Sequence, residues 1–130
     1  MPVTKEFSNW KDDFPYPTEQ IKIAKHKGSL RLNVVSGKQG VHFICYSPSM
    51  NISSYGNTKL EARKAFEENI LTFVDDLLEL SEGARSKILR EMGWEKMKIV
   101  RKQFSKVFKL KKHQIKDIEN PEIHSLETAA

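Results

Sequence analysis

The sequence predicts an α+β domain in which a small antiparallel sheet of about three strands packs on one long helix. Apolar and polar residues alternate in "SLRLNVV" and in "VHFICY", which is the pattern of paired strands. Farther along, apolar residues recur at helical spacing between Ala62 and Leu80. An extra short helix and C-terminal strand or strands complete the prediction.

The chain divides into four predicted segments. An extended arm covers residues 1–28, a β-β-β-α domain covers residues 29–82, a basic extension covers residues 83–118 and a tail covers residues 119–130. The length of 130 residues suits one small domain with such extensions.

The arm is rich in proline and aromatic residues. Pro15 and Pro17 exclude a helix or a central strand around them, because proline has no backbone N–H to donate. Trp10, Phe14 and Tyr16 are expected to hold the arm on the domain surface. Alternation in "IKIAK" predicts a short strand at the end of the arm.

A hairpin opens the domain. Leu30, Leu32 and Val34 share one face of its first strand, and "SGKQG" is predicted to be the turn because Gly37 and Gly40 tolerate positive φ. The returning strand "VHFICY" is apolar on both faces, which places it at the centre of the sheet. "ISSY" is predicted to be a shorter third strand.

A sharp corner precedes the long helix. Gly56 permits the bend, and Asn57 follows it. Thr58 is the predicted N-cap, and Glu61, three positions later, completes a capping box with it. In this box the Glu61 carboxylate is expected to accept from the Thr58 amide. The helix is predicted to end at about Leu80.

The C-terminal half is less regular. "ARSKILREM" predicts a second helix closed by Gly93. The following "WEKMKIVRKQFSKVFKL" fits a strand in its first half, which we favour, whereas its later apolar residues also fit a helix. Residues 122–126, after Pro121, are predicted to form one short strand.

The composition excludes several classes of protein. No apolar run reaches the roughly 18 residues of a membrane span, and the N-terminus has no signal-peptide pattern. Cys45 is the only cysteine, so no internal disulfide can form, which favours a cytoplasmic location.

The sequence contains no convincing catalytic or metal-binding motif. His26, His42, His113 and His124 have no metal-ligand spacing, and Cys45 lies in an apolar strand that suits a core thiol. We find no phosphate-binding loop, dinucleotide fingerprint or nucleophile elbow. The sequence therefore predicts no enzyme activity, no cofactor and no metal.

Residues 84–118 are strongly basic. They hold twelve lysines and arginines against Glu91, Glu95 and Asp117, whereas the whole chain has a net charge of +5. Such a block binds nucleic acid, binds another anionic partner or is only a solvated face. In the first case the contacts are expected from Lys106, Lys109, Lys111 and Lys112.

The stretch "GVHFICYSPSMNISSYGNTKLEARKAFEENI" resembles the HicB-like antitoxin family over about residues 30–80. The matching positions, with Asn57 where the family has aspartate, are Gly56, Thr58, Leu60, Glu61 and Ala62. The resemblance implies a partly degraded RNase H-like fold without catalysis. Residues 84–130 show neither the helix-turn-helix nor the ribbon-helix-helix that many members carry.

The resemblance also implies partners, namely a HicA-type RNA-cleaving toxin or an equivalent protein, and a homodimer. The acidic helix face is the predicted steering surface for a basic partner, through Glu67, Glu68, Asp75 and Glu79.

The second face of the sheet, with Val35, Ile44 and Tyr46, is apolar. Either the arm and C-terminal segment or a second subunit is expected to cover it.

Overall fold

The computed structural model describes residues 7–11, 16–24, 27–98 and 103–129. These residues form one antiparallel sheet of eight strands, together with three helices. In chain order the elements are β1 (Phe7–Lys11), β2 (Thr18–Ala24), β3 (Lys27–Gln39), β4 (His42–Ser47), β5 (Ile52–Gly56), α1 (Lys59–Leu78), α2 (Glu82–Glu91), β6 (Glu95–Lys96), β7 (Gln103–Val107), α3 (Lys112–Ile115) and β8 (Glu119–Ala129).

The sheet is organised around β3. Along one edge, residues 29–38 of β3 pair with β8, and β1 pairs with β8 beyond it. Along the other edge, β2 pairs with residues 27–31 and β4 pairs with residues 35–39. The sheet therefore has two branches on this side: β7 and β6 continue from β2, and β5 continues from β4.

The predicted fold is wrong. A small sheet of about three strands on one long helix, the partly degraded RNase H-like fold that the resemblance implied, is replaced by the eight-stranded sheet. The predicted arm contains β1 and β2, and the predicted tail contains the whole of the long strand β8. The later part of the ambiguous basic segment is strand β7 and not a helix, while Ile99 and Val100 lie outside the described residues.

A β-bulge lets β8 contain a proline. The pairing of β3 with β8 shifts between Ser36 and Lys38, and Gly37 lies in this irregularity close to Pro121. A Cβ on Gly37 would lie 2.5 Å from Ile118 Cγ2, so only glycine fits there without movement. Proline is tolerated at a bulge because a bulged residue need not donate to the ladder.

A buried carboxylate lies where β3 changes partner. Asn33 has no strand partner on the edge between β2 and β4, and its backbone N–H donates to Glu19 Oε2 at 3.0 Å. The Ser49 hydroxyl donates to Glu19 Oε1. Lys106 is the cross-strand neighbour of Glu19 on β7, and its Nζ donates to the carbonyls of Met92 at 2.7 Å and Ser49 at 3.3 Å. The Asn33 N–H, which has no strand partner on this edge, is thus satisfied by the Glu19 side chain.

The Asn33 side chain fixes the segment that enters β2. Its Oδ1 accepts from the Tyr16 N–H and its Nδ2 donates to the Tyr16 carbonyl, both at 2.6 Å. The Arg31 guanidinium lies 4.4 Å from the centre of the Tyr16 ring. Trp10 packs edge-on against Phe66 of α1. The predicted anchors Trp10 and Tyr16 therefore contact the domain, and Phe14 lies outside the described residues.

The helix α1 begins at the predicted corner. Thr58 Oγ1 accepts from the Glu61 N–H at 3.1 Å, which confirms Thr58 as the N-cap. The Glu61 carboxylate accepts from the Asn57 N–H at 2.8 Å instead of from the Thr58 amide. Gly56 brings β5 close to the helix, since a Cβ there would lie 2.5 Å from the Ala62 nitrogen. The helix packs on the sheet through Ala62, Phe66, Ile70, Val74 and Leu77.

A second apolar cluster covers the face of the sheet away from α1. Val35 and Ile44 are buried there against Ile118, with the partly buried Leu110 and Ile115 packed against them. The C-terminal segment of the same chain therefore covers the face that was predicted to need a cover. An open apolar face no longer argues for a homodimer, which stays a prediction.

The N-cap gives the first prediction. Replacing Thr58 with alanine removes the acceptor of the Glu61 N–H, so unfolding should need about 1 kcal/mol less free energy. Denaturant unfolding measures the difference. Lys64→Ala, on the exposed side of α1, is the control and should change stability by less than about 0.5 kcal/mol. Equal stability of Thr58→Ala and parent would contradict the cap.

Glu19 gives a pH-dependent prediction. Burial raises the pKa of this carboxyl above its ordinary value of 4.5, although hydrogen bonds from Ser49 and Asn33 and the charge of Lys106 oppose the shift. The native state then holds the proton more tightly than the unfolded chain. The contribution of Glu19 to the unfolding free energy should be fully present below pH 4.5 and should be lost as the pH rises through its native pKa.

Unfolding of the parent and of Glu19→Gln across this pH range tests the assignment. Glutamine cannot titrate, so the variant should lose the part of the pH slope that Glu19 contributes. Superimposable slopes would show that Glu19 has the same pKa in the folded and unfolded chain.

Candidate functional site

A pocket of about 680 Å³ lies where the first turns of α1 face the end of β3, the first half of β4 and the start of β8. Its size falls within the roughly 300–1,000 Å³ that is usual for small-molecule sites. The N-cap at Thr58 fixes the helix wall of this pocket, and the bulge at Gly37 shapes the sheet wall. Bulges are common next to binding and active sites because they redirect side chains.

A polar pair lines the inner part of the pocket. Ser36 Oγ lies 2.5 Å from His124 Nε2, and His124 is only 5% exposed. Glu122, the cross-strand neighbour of Ser36, places its Oε2 3.6 Å from the same ring nitrogen. Because the imidazole can donate to or accept from Ser36, the remaining capacity of the Ser36 hydroxyl suits either kind of polar group on a ligand.

Three cationic side chains line the same pocket. Lys38 and Lys59 are exposed, whereas Arg63 is half-buried. The Lys38 ammonium lies 5.4 Å from the centre of the Phe43 ring, and the Arg63 guanidinium lies 4.9 Å from the centre of the Trp10 ring. These aromatic contacts help to orient two of the cations.

The walls between the charges are mainly apolar. Phe43 lies on the sheet wall and Leu60 on the helix wall, and Leu60 is 62% exposed. Cys45 also lines the pocket, and burial raises the pKa of its thiol to about 11, with a small opposing effect of Arg63. A thiol with this pKa is protonated at neutral pH and is a poor nucleophile.

The sequence did not predict the pocket, although it did predict the capped corner that begins the helix wall of the pocket. Gly56, Asn57, Thr58 and Glu61 lie beside it and build the start of α1. Ser36 and His124 are 88 positions apart, so no local motif could connect them. Only the pairing of β3 with β8 brings them together.

The predicted partner surface on α1 is only partly free. Glu68 and Glu79 are exposed and Asp75 is half-buried. Glu67 is also half-buried, and its carboxylate accepts from Trp10 Nε1 at 2.8 Å. Glu67 therefore helps to attach β1 to the helix.

The predicted nucleic-acid contacts separate into two kinds. Lys109, Lys111 and Lys112 are exposed around the start of α3. Lys106 instead donates to two carbonyls inside the structure, and burial lowers the pKa of its ammonium although the charge of Glu19 opposes this. Lys106 is thus placed to stabilise the fold.

Within the described ranges, no group of three or more histidine, cysteine or acidic side chains could hold a metal ion. None of the helices in that part of the chain has the length and hydrophobicity needed to cross a bilayer. The cytoplasmic location stays a prediction.

Comparison with protein-family models, with curated proteins and with solved structures finds no match for this chain. Toxin binding therefore rests only on the resemblance of residues 30–80 and stays a prediction. The fold that the same resemblance implied is wrong.

The Cys45 thiol gives a direct prediction about the pocket wall. With a pKa of about 11, its thiolate fraction at pH 8 should be about 100-fold below that of an ordinary cysteine. Alkylation by iodoacetamide should therefore be slower by at least that factor in the native chain than in urea. Because Cys45 is the only cysteine, mass spectrometry reads the reaction without ambiguity. Native and unfolded rates within a few fold of each other would contradict the buried thiol.

Proposed function

We propose that this protein is a non-enzymatic binding protein whose ligand occupies the pocket between α1 and strands β3, β4 and β8. One observation carries the proposal: apolar walls, the half-buried Ser36 and the buried His124 line one pocket of about 680 Å³. Binding sites for small molecules commonly combine an apolar lining with a few fixed polar groups.

The arrangement around His124 favours binding over catalysis. In a hydrolytic triad, the serine and the carboxylate approach opposite ring nitrogens, so that the carboxylate orients the base. Here Ser36 and Glu122 both approach Nε2 of His124. The other candidate nucleophile, Cys45, is held protonated by burial. These contacts support a polar pair that recognises a ligand.

Blocking the mouth of the pocket tests the proposal. Nile red, a neutral dye whose fluorescence rises in apolar surroundings, should bind the native chain with one-to-one stoichiometry. Leu60→Trp adds bulk at an exposed wall position and should weaken binding about tenfold, or by 1.4 kcal/mol. Val41→Trp is the matched control, because Val41 is 84% exposed and outside the pocket lining. Absence of binding, or equal weakening by both substitutions, would reject the pocket as the site.

A second candidate function is nucleic-acid binding through the exposed basic strip Lys109, Lys111, Lys112 and Lys116. The supporting observation is that these side chains, with His113, are all exposed and no acidic residue interrupts residues 109–116. Exposed lysines at this density suit contacts with phosphate groups.

Charge removal on this strip gives the matching prediction. Replacing Lys109, Lys111 and Lys112 together with glutamine should abolish retention of single-stranded RNA at low salt. For the parent chain, a plot of the logarithm of the binding constant against the logarithm of the salt concentration should have a slope of about −0.7 for each phosphate contact. Lys11→Gln with Lys22→Gln and Lys64→Gln, at exposed positions outside the strip and the pocket, is the control of equal charge change. No gel shift of RNA or DNA by the parent at low salt would eliminate this candidate.

A further inference from the structure

The pocket has three chemically distinct zones, and their order restricts what can bind. Lys38 and Lys59, both exposed, form an outer cationic zone. Phe43 and Leu60 form an apolar middle zone. The 5% exposed His124 and its partner Ser36 form an inner polar zone. A matching ligand has an anionic end, a flat or bulky apolar body and a polar edge.

The outer zone favours an anion of more than one charge. Two exposed lysines and the half-buried Arg63 line the pocket from different elements, one on β3 and two on α1. Cations that line one pocket from two elements suit a phosphate group, which offers three acceptor oxygens and up to two charges.

The middle zone favours a ring. Phe43 and Leu60 approach from the sheet wall and the helix wall, and Leu60 leaves much of its surface in water in the free protein. A flat ring buried between an aromatic and an aliphatic wall would remove this apolar surface from water.

The inner and lateral groups argue against a simple alkyl chain. Ser36 and His124 would contact the end of the ligand, where a chain of methylene groups makes no hydrogen bond. Glu119 and Glu122 are exposed on the β8 side of the pocket and can accept from hydroxyl groups. A heterocyclic base supplies the polar edge, and a sugar supplies the hydroxyls.

We infer that the ligand is a nucleoside phosphate, with its phosphate at Lys38 and Lys59, its base between Phe43 and Leu60, and the edge of the base at Ser36 and His124. This inference rests on the proposed function, because it names the ligand class of the same pocket. It requires no covalent step.

Calorimetric titration of the full chain with nucleoside monophosphates tests the inference. Each of the four common ribonucleoside monophosphates is compared with its own nucleoside and with inorganic phosphate. At least one monophosphate should bind about tenfold more tightly than its nucleoside and than inorganic phosphate, the ratio expected for a charge-assisted contact. Lys38→Gln with Lys59→Gln should remove this advantage. Lys22→Gln with Lys64→Gln, an equal charge change at exposed positions outside the pocket and the basic strip, should leave it intact.

Nile red binding distinguishes an error in the ligand class from an error in the pocket itself. If the dye binds in the pocket but no monophosphate exceeds its nucleoside, the nucleotide class is wrong and the pocket stands. If monophosphates bind but the Lys22→Gln, Lys64→Gln pair weakens them as much as the Lys38→Gln, Lys59→Gln pair, binding follows net charge and the inference fails. If neither dye nor nucleotide binds, the proposed function fails as well.

Discussion

The fold depends on how β3 satisfies its backbone where it passes from one partner to another. A strand that exchanges β2 for β4 along one edge leaves a backbone N–H between them, and a buried donor without an acceptor costs about 1–3 kcal/mol. The Glu19 carboxylate supplies that acceptor for Asn33. Because Ser49 donates to the same carboxylate and Lys106 lies opposite it, one interaction joins β2, β3, β7 and the loop before β5.

The division of the sheet explains where the pocket forms. The β2 branch and the β4 branch leave β3 at different points, and α1 packs across their common face. At the far end of β3, the bulge at Gly37 and the capped start of α1 hold the sheet and the helix apart at the surface. The walls are therefore set by backbone geometry, and the charged side chains extend from rigid elements.

Local features of the fold could be predicted from the sequence, and distant pairings could not. The N-cap at Thr58, the long helix and the strands on both sides of Gly40 follow from periodicity and capping within a few residues. The pairing of β1 and β3 with β8 joins residues up to about 120 positions apart, for which alternation in a single strand gives no partner. Pro17 precedes β2, in agreement with its exclusion from a central strand, whereas Pro121, after which a strand was predicted to begin, lies in a bulge within β8.

The residues of the candidate site also divide into those that local sequence predicts and those that only distant pairing brings together. Leu60 and the cap residues belong to a readable local motif, whereas Ser36 and His124 meet only through the β3–β8 ladder. The role of each lysine in the basic segment could not be predicted for a related reason. Lys106 and Lys109 belong to one basic run, but Lys106 lies on β7 opposite the buried carboxylate of Glu19, whereas Lys109 lies beyond the strand in solvent. A run of like charges thus gives the net attraction for an anion, but only the sheet register decides which cations remain available to bind one.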